Sequence, residues 1–432
     1  MKKFLSFAIL TICLSLNAPA QQYRMKYSAN DGRPLSLENV IRLSLENSYD
    51  VLLIEQDLVI AQQRIQEAKF LYRPQFSINA SVTGYNLDYP MVLPETVGQR
   101  LLMPDTNHKK EDLFYAVGIS AVQYLYGGGR ISSTLDMARA ADKETLSRYQ
   151  TAKNSVIYTA KTAFYEYLYA EQKNKFTQDV LVKAQEISNK KGLSPAQKIL
   201  VSAEFSAFES NAAKTKAEFE GAKIKLLKIL NKELNTDITF EGSLDYEPIE
   251  TDLVKLNLWA MEFRPEVKGA MYKLEMDNIA VKLSLTRRYP DILLGASYDR
   301  QGLDNLKQEN MQATLAVKVP FGYNFGTQLR QKRAEQRQTV LRQASIEDAI
   351  RTEVLEAYNN LNFWQEQTPQ RLKAWEDIDK QFKEFMRTRS SLKETFDSLN
   401  YYYQAGIKSL EAQKEHLIAI ARLENAIGKD LK

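Results

Sequence analysis

The period of the hydrophobic positions switches from 3.6 residues to 2 and back again, and it does so in each half of the chain. From Ser36 onward, Leu37, Val40, Ile41, Leu45 and Leu52 fall at helical spacing, which predicts a helix over about 36–72. Pro74 ends it, because proline cannot donate the next helical bond and disfavours helix in the residue before it. The period then becomes 2. Phe76, Ile78, Ala80 and Val82 alternate with polar residues over about 75–86, and Leu113, Tyr115, Val117, Ile119 and Ala121 take one face of about 113–126. Helical spacing returns over about 129–190 and 195–232. The second half repeats this order. A helix over about 251–288 ends before Pro290, strands follow over about 291–301 and 311–321, and helices over about 326–388 and 392–430.

The two halves also align residue by residue. Residues 38–85 lie on 254–301 at an offset of 216, with Glu46 on Glu262, Leu58 on Leu274 and Pro74 on Pro290. Further along the offset is 197, which places Val122 on Val319, Gly129 on Gly326 and Ser194 on Ser391. The chain therefore reads as two copies, 35–248 and 249–432, after a lead of 21–34. The connection about 87–112, with Pro90, Pro94 and Pro104, is much longer than its counterpart about 302–310.

The opening residues carry an address. Lys2 and Lys3 precede the apolar run Phe4–Leu16, and Ala18-Pro19-Ala20 offers a cleavage site, so residues 1–20 read as a signal peptide. Cys13, the single cysteine of 432 residues, would leave with it. With only 2 His besides, clustered His or Cys catalysis and a zinc site have nothing to be built from, and neither a metal nor a cofactor is expected. A formal charge of +4 makes no case for nucleic acid. Gly127–Gly129 lacks the Lys and Ser/Thr of a phosphate loop and reads as a tight exit from strand to helix. No enzyme is expected.

Segments of about ten residues with one apolar face are the pattern of outer-membrane barrel strands. Four of them cannot close a barrel, and open edges are not tolerated in lipid, so the chain must oligomerise. The helix expected over 129–190 would run about 90 Å at 1.5 Å per residue. The competing reading is a soluble periplasmic scaffold or adaptor whose hairpins cover a helical core.

Residues 35–81, LSLENVIRLSLENSYDVLLIEQDLVIAQQRIQEAKFLYRPQFSINAS, resemble the opening of the TolC-like outer-membrane efflux channels, as does RPEVKGAMYKLEMDNIAVKLSLTRRYPDILLGASY at 264–298. QYLYGGGR at 123–130 and VPFGYNFG at 319–326 are similar to that family's strand-to-helix turn. The resemblance implies an α+β membrane protein. Three protomers would give a twelve-stranded transmembrane β-barrel continuing into a coiled-coil helical barrel in the periplasm. It also implies outer-membrane lipid around the strands, and a periplasmic adaptor and inner-membrane pump as partners, in efflux or type I secretion.

The same resemblance points to the turns between the long helices. Ser391-Leu392-Lys393-Glu394 and Ser194-Pro195-Ala196-Gln197 both read as capping boxes. Glu394 and Asp397 fall where the family places acidic rings at its pore constriction. They are three apart and share a helix face, but acids in a first turn also favour the helix dipole, and both readings stand. The first-copy equivalents are Gln197 and Leu200. Gly192, Leu193 and Ser194 resemble the tip that meets the adaptor, with Ser390 and Ser391 at the corresponding place in the second copy. Arg387 and Arg389 are candidates to hold the tip shut. Gly406 is a competing, second-ranked position for the second turn.

Overall fold

The computed structural model describes residues 34–86, 93–96, 99–101, 111–189, 193–232, 238–302, 307–320, 324–388 and 391–431. The expected signal peptide, most of the lead and most of the first long connection lie outside them, as do Gly192, Arg389 and Ser390. The first half contains α1 (Leu37–Asn47), α2 (Tyr49–Phe70), β1 (Gln75–Asn86), β2 (Leu93–Thr96), β3 (Gln99–Leu101), β4 (Glu111–Tyr126), α3 (Arg130–Ser188) and α4 (Pro195–Ile229). The second contains α5 (Leu253–Phe263), α6 (Pro265–Thr286), β5 (Asp291–Gly302), β6 (Gln308–Lys318), α7 (Phe325–Phe385) and α8 (Leu392–Ile427). Helix dominates, and no described helix is long and apolar enough to cross a membrane.

The chain divides into two compact units. One is drawn from residues 1–52, 159–245 and 374–414, the other from 53–158, 246–373 and 415–432.

Each half opens with a pair of helices where the spacing predicts one. In the first, Ser48 leaves the helical region at φ −68°, ψ 121°. Side chains pay for the broken ladder: the buried Asn47 amide donates to the Leu230 carbonyl at 3.2 Å, and Asn231 donates to the Asn47 carbonyl. In the second, Arg264 is extended at φ −63°, ψ 121° and Pro265 starts α6, as steric crowding before proline requires. The buried Arg264 guanidinium donates to the Asn425 carbonyl at 2.7 Å and to Glu353 at 2.9 Å, and its Nε stands 3.0 Å from Glu266 in a poorly aligned ion pair. Gly428, at φ +72°, lies so close to the Arg264 backbone that a Cβ would stand 3.2 Å from it. Around this junction Leu256, Ala260, Val354, Leu361, Leu423 and Ile427 form a core. The extended segment before α5 is fixed to the same unit. His416 Nε2 is 3.0 Å from the Glu247 carbonyl with its ring 4.7 Å from Tyr246, and Gln365 donates to the Ile249 carbonyl. Burial lowers the His416 pKa and keeps the ring neutral.

The four strands with alternating residues form one antiparallel sheet in the order β1-β4-β5-β6. Beyond the prediction, the first long connection carries a small ladder of β2 with β3. Residues paired across a ladder share a face. One face therefore holds the rows Phe76–Ala121–Ala296–Ala313 and Ile78–Ile119–Tyr298–Met311. The other holds Ser77–Ser120–Ser297–Gln312 and Asn79–Gly118–Asp299–Asn310. Gly118 permits the close approach in that last row, since a Cβ there would meet Asp299 Cβ at 2.9 Å. The apolar face is bare: Ile78 is 77% exposed and Met311 90%. Neither outer edge, β1 or β6, has a strand partner among the described residues.

The ladders give the expected two-copy alignment a different register in the second strands. Phe76 pairs with Ala121, and Ile292, its counterpart at an offset of 216, pairs with Val317. If the two hairpins are equated through these pairs, the expected repeat has an offset of 196 between β4 and β6, which sets Val122 against Lys318, where side-chain similarity sets it against Val319. A one-residue slip exchanges the faces of a strand, so this difference decides which side chains are wet.

At the helix side of the sheet, Pro74 and Pro290 stand immediately before β1 and β5. Arg130 bonds Asp291, and Gly128, at φ +60°, lies against the Tyr289 ring where a Cβ could not fit.

Replacing Arg264 leaves two carboxylates and a carbonyl without their cation. Arg264→Ala is expected to cost about 3 kcal/mol, read as a lower denaturant midpoint by circular dichroism in detergent. Arg264→Lys should recover little, because an ammonium cannot reach three acceptors in a planar fork.

Candidate functional site

The candidate residues cluster where α3 turns into α4 and α7 into α8, all within one unit. Both second helices begin alike. Ser194 Oγ accepts from the Gln197 backbone at 3.3 Å, and the Ser194 backbone donates to Gln197 Oε1 at 2.9 Å. Ser391 Oγ accepts from the Glu394 backbone at 3.3 Å, and the Ser391 backbone donates to Glu394 Oε2 at 3.0 Å. These are reciprocal capping boxes, one closed by an amide and one by a carboxylate.

The first turn of α8 separates its residues by face. Thr395 and Phe396 are buried, while Glu394 and Asp397 are exposed. The hydrogen bonds from the Ser391 backbone and then its hydroxyl hold the Glu394 pKa below its ordinary 4.5. Glu394 therefore already has a structural task, and Asp397 beside it presents a second exposed carboxylate. Leu193 is half-buried against the tip core, Ser194 and Ser391 are exposed caps, and Arg387 is exposed just past the end of α7.

The two turns share one core. Ile187 and Val201 from the first copy meet Phe382, Phe396 and Leu399 from the second. Behind it lies an aromatic knot that the sequence shows only as scattered tyrosines. Phe176 of α3 stands edge-on to Trp375 of α7 at 5.3 Å and stacks on Tyr403 of α8 at 6.1 Å. Lys183 lies 4.8 Å over the Tyr402 ring, whose hydroxyl donates to Asp379 at 3.4 Å. Burial, then the Asp379 charge, pushes the Tyr402 phenol up to about 12. Gly406 sits inside α8, so it is not the turn. A Cβ there would stand 2.5 Å from the Phe176 ring, and its glycine serves the crossing of α8 over α3.

Among the described residues no group of three or more His, Cys, Asp or Glu is placed to hold a metal ion. A cleft of about 550 Å³ between α3 and α6 is lined by Asp136, Arg139, Lys143 and Glu275, which pair among themselves at 3.6 Å (Arg139 with Asp136) and 3.9 Å (Lys143 with Glu275).

Glu394→Gln should keep both bonds of the α8 capping box, since Gln197 closes the equivalent box, whereas Glu394→Ala should keep the Ser391 hydroxyl cap and lose the reciprocal bond to the Ser391 backbone, fraying the first turn. The carboxylate cap has a depressed pKa, so its contribution is present at neutral pH and is lost as pH falls below 4.5 and through the folded value. Hydrogen exchange of the first turn of α8 in wild type and both variants, at pH 7 and pH 4, checks both statements.

Comparison with known proteins places this geometry. The sequence profile of the outer membrane efflux protein family matches residues 40–190. No curated protein matches the sequence. The fold is similar to that of the Neisseria gonorrhoeae outer-membrane channel MtrE in its open state, at 17% identity and TM-score 0.75, covering 92% of this chain and 89% of that one. It is also similar to the Campylobacter jejuni outer-membrane channel CmeC, at 14% identity and TM-score 0.71, covering 91% and 85%. The Vibrio cholerae outer-membrane protein VceC matches at 12% identity and TM-score 0.72, covering 92% and 97%. At such identities these likenesses are of fold. This chain thus resembles the TolC-like outer membrane efflux proteins in sequence over residues 40–190 and in fold over more than nine-tenths of its length.

Proposed function

We propose that the protein is the passive outer-membrane exit duct of a tripartite efflux pump or type I secretion system. The observation that carries the proposal is the four-stranded sheet, bare and apolar on one face, polar on the other, and open at both edges. Lipid accepts the apolar face but not the edges, whose backbone groups would lack partners. Edge pairing of β6 with β1 of a second copy, repeated three times, closes twelve strands with the Ser, Asn and Gln rows inward. Export through a signal peptide fits that location. The long helices below would continue the duct in the periplasm, where Leu193, Ser194 and Ser391, with Gly192 and Ser390 beside them, are the surface offered to an adaptor. The energy would come from an inner-membrane partner, with no chemistry in this chain.

The two-copy layout supplies the register of the seam between protomers. The pairs Ala121–Ala296 and Ile119–Tyr298 join the two hairpins within one chain. Shifted by 196 and 216, they become Val317 with Ala80 and Leu315 with Val82 of the neighbouring copy.

At the tip, three copies of Glu394 and Asp397 would form carboxylate rings that favour cations and bind divalent ions, with Arg387 and Arg389 holding the closed form. Purified protein in planar bilayers is expected to give cation-preferring conductance steps blocked by millimolar divalent cations. Glu394→Gln with Asp397→Asn should raise single-channel conductance and abolish the block with the cap intact. Unchanged conductance in that variant sinks the ring. Release of the native protein by osmotic shock alone, with no bilayer activity, would favour a soluble scaffold instead.

A further inference from the structure

The two ends of the sheet differ in charge. At the end away from the helices Arg300 is bonded to Glu309 across the β5–β6 ladder. At the helix side the balance is one-sided. Segments 69–75, 124–130, 285–291 and 316–330 carry seven cations, Lys69, Arg73, Arg130, Arg287, Arg288, Lys318 and Arg330, and one acid, Asp291. That acid is already bonded to Arg130.

The exposed cations here meet no carboxylate among the described residues. Arg73 lies 5.2 Å over the Phe70 ring and Arg288 4.3 Å over that of Phe325, while Arg287 donates to the Gln328 amide oxygen. Stacking orients a guanidinium and leaves its edge donors available. Lys318 ends β6 opposite Asp291, on the polar face with Ser297 and Gln312, and so stands apart from these arginines. Aromatic rings stand among them: Tyr72, Tyr126 and Tyr289 are each about half exposed. Both helix-to-strand turns are written this way, as Tyr72-Arg73-Pro74 and as Arg287-Arg288-Tyr289-Pro290. They lead directly into the apolar rows Ile292–Val317 and Leu294–Leu315.

From this we propose that the helix-side rim of the sheet is a binding collar for anionic phospholipid headgroups, with Arg73, Arg287 and Arg288 as the phosphate-facing residues. The inference rests on the membrane reading of the sheet. Its occupant follows from continuity and charge. A ligand here must be apolar where it meets the strands and anionic where it meets the rim, and an acyl chain ending in a phosphodiester is both. Arginine matches phosphate oxygens with paired donors, and tyrosine suits the boundary between chain and headgroup. The lipid is that of the leaflet on the helix side.

The test is native mass spectrometry of the detergent-purified protein given equal amounts of phosphatidylglycerol and phosphatidylcholine, with flotation in vesicles of each lipid beside it. Wild type should retain the anionic lipid preferentially, by roughly fivefold for each cation engaged. Replacing the three arginines by glutamine should bring retention to parity while the protein still floats. The corresponding lysine variant of the three arginines, which keeps the charge, should retain most of the preference and serves as the folding control. Arg300→Gln with Glu309→Gln, at the opposite end, should change nothing. Equal retention of both lipids by wild type, or an anionic preference that the glutamine variant keeps, overturns the collar. Protein that floats with neither vesicle overturns the membrane reading, and the collar falls with it.

Discussion

An unpaired backbone edge in lipid is the constraint on which the rest of this structure depends. Hydrocarbon offers no hydrogen bonds, so every strand must find a partner. This chain supplies four strands and leaves β1 and β6 without strand partners among the described residues. Its apolar face forbids the ordinary remedy of staying in water with charged or proline-blunted edges. The remaining solution is to borrow edges from further copies. On the proposed membrane reading, assembly is then a requirement of the protomer and not an addition to it.

The same constraint explains which parts of the fold were legible in the sequence. Alternation is clear over 76–82, where Phe76, Ile78, Ala80 and Val82 interleave with polar residues, and looser over 291–302, where Leu293 falls on the polar face. Pro74 and Pro290 punctuate the change of period, and Ser194 and Ser391 mark helix starts by chemistry that is local. What the sequence hid is what depends on distant partners. The break at Ser48 rests on Asn47 meeting Leu230 and Asn231, about 180 residues away. The break at Arg264 could have been read from Pro265, yet its guanidinium hub could not. The one-residue shift in the offset of the second strands is invisible to a similarity of side chains but decisive in a ladder. Gly406 looks like a turn until Phe176 is placed against it.

The candidate site shows a similar division. Glu394 and Asp397 are candidates because a capping box and a family resemblance fall on the same segment. The structure gives Glu394 its capping bonds, so a charge in the pore and a cap on the helix can reside in one side chain. The first copy closes the same box with Gln197, which shows that capping alone does not require a carboxylate. The Tyr402 knot behind it joins three helices from both halves, and no spacing in one segment announces it.

Intermolecular cross-linking tests the central claim most directly. Cysteines placed at Val82 and Leu315, with the native Cys13 replaced by serine, should form a disulfide between neighbouring protomers in intact outer membranes. A covalent ladder up to the trimer should appear on denaturing gels, and the single-cysteine variants should give none. Absence of cross-linking at this pair, with efficient cross-linking at a different register or with protomers that remain single in the membrane, would contradict closure of the barrel through the β6–β1 seam.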